Sequence, residues 1–254
     1  MQPAHDKNVQ KQFGPRATAY VESAVHSQGE DLIALDRIVS DASPRHALDL
    51  GCGGGHVAYT MAPHARQVTA SDLSADMLAA VAEAARSRDL RNIETVEASA
   101  QDLPFDDATF DFLGCRYSAH HWFDVEQGLR EARRVLKKGS TAVFIDVYSP
   151  GRPLLDTHLQ AIELLRDTSH VRNYSAAEWT NMLTHAGFSV SATNTRQVRM
   201  HFETWIARMA TPAVYEAAIR ALQQAAPAEV REHFSIEVDG SFMLDMLMIE
   251  AVAA

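Results

Sequence analysis

Cysteine is scarce: the 254 residues hold two, Cys52 and Cys115. Two thiols so placed make neither a disulfide framework nor the paired spacing of a zinc site. Long apolar runs are missing as well. No uncharged stretch approaches the roughly 20 residues that a bilayer-spanning helix needs, and "MQPAHDKNVQKQFGPR" has no apolar core of the kind a secretory signal carries. Basic excess is absent: the formal net charge is −10. A general binder of nucleic-acid backbone would need a positive surface, so nucleic acid is not an expected partner, although a local basic pocket stays open. The expectation is a soluble cytoplasmic protein with no membrane span.

What is present is ordinary globular material, 46% hydrophobic and 22% charged, in a length that suits one α/β domain with additions or at most two small ones. The first 45 residues carry an amphipathic helical pattern, with Leu32, Leu35, Ile38 and Val39 on one face and Ser43-Pro44 as its stop. Strands and helices then alternate: a strand at 46–50, a glycine turn and helix, "RQVTAS", a helix with Ser74 as N-cap, "NIETVEA", "TFDFLGC", the helix "DVEQGLREARRVLKK" and the strand "TAVFIDVY". Such repetition predicts a parallel sheet with helices on both faces and a ligand beyond the carboxyl ends of its strands. After Pro150-Gly151 come two predicted helices, "LLDTHLQAIELLRD" and "SAAEWTNMLTHAG". The strand "FSVSATNTRQV", helices broken by Pro212 and Pro227, and a last apolar strand at about 241–252 complete the chain.

The densest signal is "HALDLGCGGGHVA", with four glycines in five positions behind an apolar strand. Glycine permits positive φ and close approach of a ligand to the main chain, and N–H groups at a strand-to-helix turn favour ligand oxygens. Asp49 precedes the turn, and Asp72 closes the second strand, where a carboxylate can accept from both ribose hydroxyls of a nucleoside. A dinucleotide fingerprint would need glycine at position 56, where His56 stands. Asp49 also suits a positively charged ligand better than a pyrophosphate.

These residues resemble the class I S-adenosylmethionine-dependent methyltransferases. "ALDLGCGGGHVA" looks like the family's first motif and "VTASDLSADML" its second. "EASAQDLPFDDATFD" resembles the adenine-contacting segment, and "REARRVLKKGS" the helix and turn before strand five. Within the family, the likeness is greatest to the quinone-type (UbiE-like) small-molecule branch. "CRYSAHHW" and "LRDTSHVRNYSAAEW" carry it nearly end to end. The resemblance implies a Rossmann-like fold: a seven-stranded, mostly parallel sheet whose last strand inserts antiparallel, plus a helical cap. It implies a single domain over 1–254, with a cover at 1–45, a cofactor-binding core at 46–148 and substrate-side helices and strands at 149–254. The cofactor would be S-adenosylmethionine, leaving S-adenosylhomocysteine.

For this cofactor, the resemblance assigns Asp49, Gly51, Cys52 and Gly53 to the methionine part and Asp72 to the ribose. Leu73 and Met77 would pack near the adenine, with Ala100 and Gln101 beside its edge. Ser99 stands where many relatives carry an acid. Lys138-Gly139-Ser140 replaces the usual Pro-Gly-Gly turn, a change expected to touch folding only. In "CRYSAHHW", His121 and after it His120 are the expected general bases, since imidazole titrates near neutral pH. Arg116 could pair with an anionic oxygen. The competing reading has one histidine ordering the loop and Trp122 in the core. Tyr20, Tyr117, His170 and Arg172 are the expected substrate contacts, with Arg166 and Asp167 offered beside them in "LRDTSHVR", against a reading of that segment as a helix end with solvated charges. Phe13 and Tyr20 are candidate cover residues. Adjacent histidines lack the i, i+4 spacing of a helical metal pair, so no metal is expected. The expected partner is a small-molecule methyl acceptor, with homodimerisation open. Two rivals stay on the page: a module that binds the cofactor without transferring methyl, and an NAD-dependent oxidoreductase.

Overall fold

A computed structural model describes residues 4–17 and 29–254. The apolar runs form β1 (His46–Leu50), β2 (Gln67–Asp72), β3 (Ile93–Glu97), β4 (Phe110–Arg116), β5 (Leu136–Val147), β6 (Phe188–Met200) and β7 (Phe242–Ala253). They make one sheet in the order β3-β2-β1-β4-β5-β7-β6. β1 pairs in parallel with both β2 and β4, so the chain reverses its direction of travel across the sheet between these two neighbours. That reversal opens a crevice at the carboxyl end of β1, beside the glycine turn.

β7 lies between β5 and β6, antiparallel to both, as the sequence predicts. Burying it on both faces follows from its composition. Phe242, Leu244, Leu247 and Ile249 are each at most 2% exposed, and each such side chain contributes about 1.5–3 kcal/mol when taken out of water. On an outer edge that contribution would be lost. β6 occupies the edge instead, and its largely exposed pattern suits that place.

The helices are α1 (Ala4–Phe13), α2 (Glu30–Ala42), α3 (His56–Met61), α4 (Ala75–Ser87), α5 (Val125–Val135), α6 (Pro153–Arg166), α7 (Ala176–Ala186), α8 (Phe202–Met209), α9 (Ala213–Ala225) and α10 (Ala228–His233). Leu35 and Val39 of α2 join Val57, Met61 and Val81 in a core on one face of the sheet. Leu129, Trp179 and Leu183, from α5 and α7, pack on the other face. A third core gathers Leu155 and Leu159 of α6, Trp205 of α8 and Ile219 of α9 over the far half of β7. Caps fix where helices begin: Ser74 Oγ accepts from the Met77 N–H, and Ser175 and Glu178 close a reciprocal capping box.

One boundary differs from the sequence reading. The helix expected to run through Lys138 ends at Val135, and β5 begins at Leu136. Leu136 pairs with Phe110, and the register then shifts before Thr141 pairs with Phe112. Lys138-Gly139-Ser140 falls in that irregularity, where Gly139 takes a φ of 81°. The strand recruits residues whose pattern looks helical because pairing with β4 outweighs local propensity.

Candidate active site

Four loops follow β1, β2, β3 and β4, and together they wall a first cavity. Gly51, Cys52 and Gly53 come from the first loop, Asp72 and Leu73 from the second, Ala98 to Gln101 from the third and Arg116 to Ser118 from the fourth, with Met77 from α4. Every residue expected to hold the cofactor therefore lines this space except Asp49, which lies behind the turn and is 1% exposed. Gly51 has a φ of 71°, and a Cβ added there would sit 1.9 Å from Ser118 Oγ. Gly53 has a φ of 48° and open space where its Cβ would point, so the main chain presents a bare cradle.

The two acids are set differently. Asp72 Oδ2 accepts from the Gly53 N–H at 2.8 Å and Oδ1 from the Ser74 N–H at 2.9 Å. Each carboxylate oxygen can accept further hydrogen bonds. Asp49 Oδ2 accepts from the Ala58 N–H at 2.9 Å, while Oδ1 is buried with no hydrogen-bond partner among the described residues. Burial, with the charge of Asp72 adding to it, pushes the Asp49 carboxyl up to about 8 against the pull of the Ala58 N–H. A cation brought near Asp49 would restore its charge. The bare cradle and the orphaned carboxylate oxygen fit a nucleoside ligand that carries a positive amino-acid part.

α1 covers this cavity: Asp6, Val9 and Phe13 line it. Its polar side chains are tied to three loops, His5 to the His121 carbonyl at 2.8 Å, Asn8 to the Thr168 carbonyl at 2.9 Å and Gln10 to the Leu73 carbonyl at 2.7 Å. Tyr20 lies outside the described residues.

A second cavity, about 540 Å³, adjoins the first. Phe13, Tyr117 and His121 line both. Its apolar wall includes Val147, Met200, Trp205, Leu244 and Met246, and its polar wall includes His120, Glu163, Arg166, Asp167, Asn173 and Arg196. His120 and His121 stand in a short 3-10 turn, Ala119–His121, their rings 4.2 Å apart. His121 Nδ1 lies 3.1 Å from the Ser169 carbonyl. Burial, then the charge of His120, drives the His121 imidazole down to about 4, so it is neutral at pH 7. His120 Nδ1 meets Asp146 Oδ1 at 2.5 Å. Burial alone would lower His120, but the Asp146 carboxylate outweighs it and raises the imidazole above its ordinary value.

Three expectations change here. Arg116 lines the first cavity but is engaged: its Nε meets Asp31 Oδ2 at 2.5 Å in a buried pair, and Arg196 joins Asp31 Oδ1 at 2.6 Å. Burial opposes the Asp31 charge, and the two guanidiniums overcome it, holding the carboxyl below its usual range. His170 lies outside both cavities. It is 6% exposed, its Nε2 is 3.0 Å from Gln160 Oε1, and burial with neighbouring positive charge drives it to about 2. Arg172 pairs with Asp156 at 3.1 Å and Glu178 at 3.6 Å near the surface. The segment after α6 does reach the site, but through Asp167 and Asn173.

Sequence reasoning passed over Asp31, Asp146, Asn173 and Arg196. Asp146 had a usable signal, a lone acid in the apolar run "TAVFIDVY" near the carboxyl end of a parallel strand. Asp31 had a fainter one, an acid beside Leu32 on the apolar side of its helix. Asn173 and Arg196 had none.

Comparison with known proteins agrees with this architecture. Residues 48–144 match the family model described as a methyltransferase domain. The chain is 45% identical to the uncharacterised protein YafE of Escherichia coli over 201 residues, 79% of this chain and 97% of that one. It is 31% identical to the uncharacterised methyltransferase YcgJ of Bacillus subtilis over 245 residues, 94% and 97% of the two chains. The crystal structure of that YcgJ protein superposes with a TM-score of 0.82 at 30% identity, covering 87% and 97%. A demethylmenaquinone methyltransferase of Clavibacter sepedonicus is 34% identical over 158 residues, 59% of this chain and 62% of that one.

Proposed function

Because the chain belongs to the class I S-adenosylmethionine-dependent methyltransferases, we propose that its first cavity holds the cofactor and its second the methyl acceptor. The observation that carries this division is their junction at Phe13, Tyr117 and His121. Gly51, Cys52 and Gly53 would receive the methionine part, with Asp49 behind them answering its positive charge. Asp72 would accept from the ribose hydroxyls, and Leu73, Met77, Ala100 and Gln101 would surround the adenine. When bound, the cofactor supplies an electrophilic methyl group on a sulfonium. The protein's part is to align donor with acceptor and to exclude water; α1, tied across three loops, serves the second purpose.

The acceptor is a small molecule with an apolar body, matched to Val147, Met200, Trp205 and Leu244, and a polar end near the histidines. A quinone-like or enol-like ring has that shape, and the demethylmenaquinone methyltransferase among the relatives supports the choice. Carbon and oxygen nucleophiles both fit it. The reading takes 1–254 as one methyltransferase domain in the cytoplasm. Among the described residues no helix is long and apolar enough to cross a membrane. Calorimetric titration tests the cofactor half. S-adenosylmethionine and S-adenosylhomocysteine are expected to bind in the micromolar range and NAD not measurably; equal binding of NAD would overturn the assignment. Transfer of labelled methyl to a metabolite extract separates an enzyme from a cofactor-binding module, which would label nothing.

A further inference from the structure

The acceptor cavity has a polar corner whose members are fixed in place but not used up by one another. His120 is gripped from two sides. Asp146, at the carboxyl end of β5, holds its Nδ1 at 2.5 Å and also receives the His120 backbone N–H at 3.3 Å. The His120 carbonyl in turn accepts from the Val171 N–H at 2.8 Å and the Arg172 N–H at 3.3 Å. Nδ1 is committed to the carboxylate, Nε2 makes no hydrogen bond among the described residues, and His120 lines the cavity. A carboxylate on one imidazole nitrogen fixes the tautomer and makes the other nitrogen the proton-accepting one.

Asn173 follows directly on the two residues that clasp the His120 carbonyl. Its backbone is clamped by Gln160, which accepts from the Asn173 N–H at 3.0 Å and donates to its carbonyl at 2.8 Å. Asn173 lines the same cavity. The residue is 2% exposed, yet its Nδ2 has no hydrogen-bond partner among the described residues. A buried amide left unpaired keeps its full desolvation penalty, and such groups are rare enough to call for a reason. A ligand oxygen in the cavity supplies one.

We propose that His120 takes the proton from a hydroxyl-bearing methyl acceptor, that Asp146 is its positioning residue, and that the Asn173 amide holds a neighbouring oxygen of the same molecule. This rests on the methyltransferase reading and narrows it to phenols and enols, preferably with an adjacent carbonyl. The acceptor O–H bond breaks and its proton joins His120 Nε2. The electron pair, on oxygen or delivered through the enolate to carbon, forms the bond to the methyl carbon. The carbon–sulfur bond breaks with its pair left on sulfur, which becomes a neutral thioether. His121 differs in role: it is neutral at pH 7 and stands at the junction of the cavities, while Glu163 and Asp167 face His120 from α6 and the segment after it, and His170 packs beside it.

Three matched probes test this: 2-naphthol, 1-acetyl-2-naphthol and 2-naphthylamine, each with labelled S-adenosylmethionine. The two hydroxyl compounds are expected to be methylated and the amine not. His120→Gln should lower turnover by a hundredfold or more and Asp146→Asn by tenfold or more. Asn173→Ala should raise KM for the acetyl compound more than for 2-naphthol. Absence of transfer to both hydroxyl compounds overturns the proposal, whatever happens to the amine. Independently of turnover, an NMR titration should find the His120 ring protonating above the ordinary histidine value in the wild type and below it in Asp146→Asn; an unmoved titration removes Asp146 from its role. S-adenosylhomocysteine affinity within about threefold of wild type shows that each variant has folded. Failure of the wild type itself to bind that ligand would sink the methyltransferase reading instead.

Discussion

The first cavity is walled by α1 and by the loops that leave four neighbouring parallel strands, and Gly51, Gly53, Ser99 and Ala100 bring main chain and short side chains to it. The second is walled by α1, α2, the segment after β4, β5, α6, β6, α8 and β7, with lining residues spread from residue 13 to residue 246 and many of their side chains long. A backbone-built site depends on φ and on hydrogen-bond donors that every sequence of that fold supplies. A side-chain-built site depends on which residues the packing of distant elements brings together. The first therefore suits a ligand shared by a whole family, and the second an acceptor that changes from one member to the next.

That contrast is sharpest at Gly51. Its φ of 71° and the 1.9 Å approach of an added Cβ to Ser118 Oγ leave no room for a side chain. Ser118 Oγ also accepts from Trp122 Nε1 at 3.1 Å, so displacing it disturbs a further wall of the cavity. Gly51→Ala is expected to weaken S-adenosylhomocysteine binding by a hundredfold or more in a calorimetric titration and to lower Tm. About 1–2 kcal/mol comes from the backbone alone. Affinity within a few fold of wild type would mean that the cofactor cavity is not backbone-built after all.

Asp72 is the main side-chain contribution to the same cavity. Asp72→Ala removes the acceptor of the Gly53 and Ser74 N–H groups and, on the proposed reading, of the ribose hydroxyls as well. The expected loss of S-adenosylmethionine affinity is about 1.5–3 kcal/mol, roughly ten- to 150-fold by calorimetry. A loss confined to Tm, with affinity intact, would assign Asp72 to the turn and not to the ligand.

How much of each cavity could be read beforehand follows from the same contrast. The glycine turn, Asp49 and Asp72 lie next to strands whose apolar runs announce them, so local pattern pointed to them; the segment at Ala100 came with the family resemblance. The antiparallel insertion of β7 came with the family resemblance, and the cover that Phe242, Leu244, Leu247 and Ile249 find on the two faces agrees with it. The end of α5 was not, since the continuous pattern "REARRVLKK" gives no stop and pairing with Phe110 sets it. On the acceptor side, His120 and His121 were both visible, but the contact that sets their rings apart was not, because the Asp146 partner of His120 lies 26 residues away in the chain. Arg116 looked free for an anion until Asp31, 85 residues earlier in the chain, claimed it.

Asp49 offers a smaller effect with a definite sign. Burial holds its carboxyl at about 8, so most of it is protonated at pH 7. A ligand whose ammonium or sulfonium favours the ionised form must drive the proton off. Affinity should therefore rise by about tenfold from pH 7 to pH 9 through this group, and proton release should accompany binding at pH 7. Heats measured in two buffers of different ionisation enthalpy count that proton, and Asp49→Asn should abolish it. An unchanged count in the variant would show that the positive part of the ligand lies elsewhere.

The smallest expected effect belongs to Arg172, where the acceptor side was misread. Its guanidinium reaches Asp156 and Glu178 and lines neither cavity. The side chain is 37% exposed, and ion pairs this open to solvent contribute about 0–1 kcal/mol. Arg172→Ala should leave S-adenosylhomocysteine affinity and the KM for 1-acetyl-2-naphthol within twofold, with Tm lowered only slightly. Its neighbour gives the contrast, because Asn173→Ala should move that KM while leaving cofactor affinity alone. The two positions are adjacent in sequence, and only the register that the Val171 and Arg172 N–H groups impose against the His120 carbonyl sends one to the cavity and the other to the surface. A KM that rises in Arg172→Ala but not in Asn173→Ala would reverse that assignment, placing the charge of the segment, and not its amide, against the acceptor.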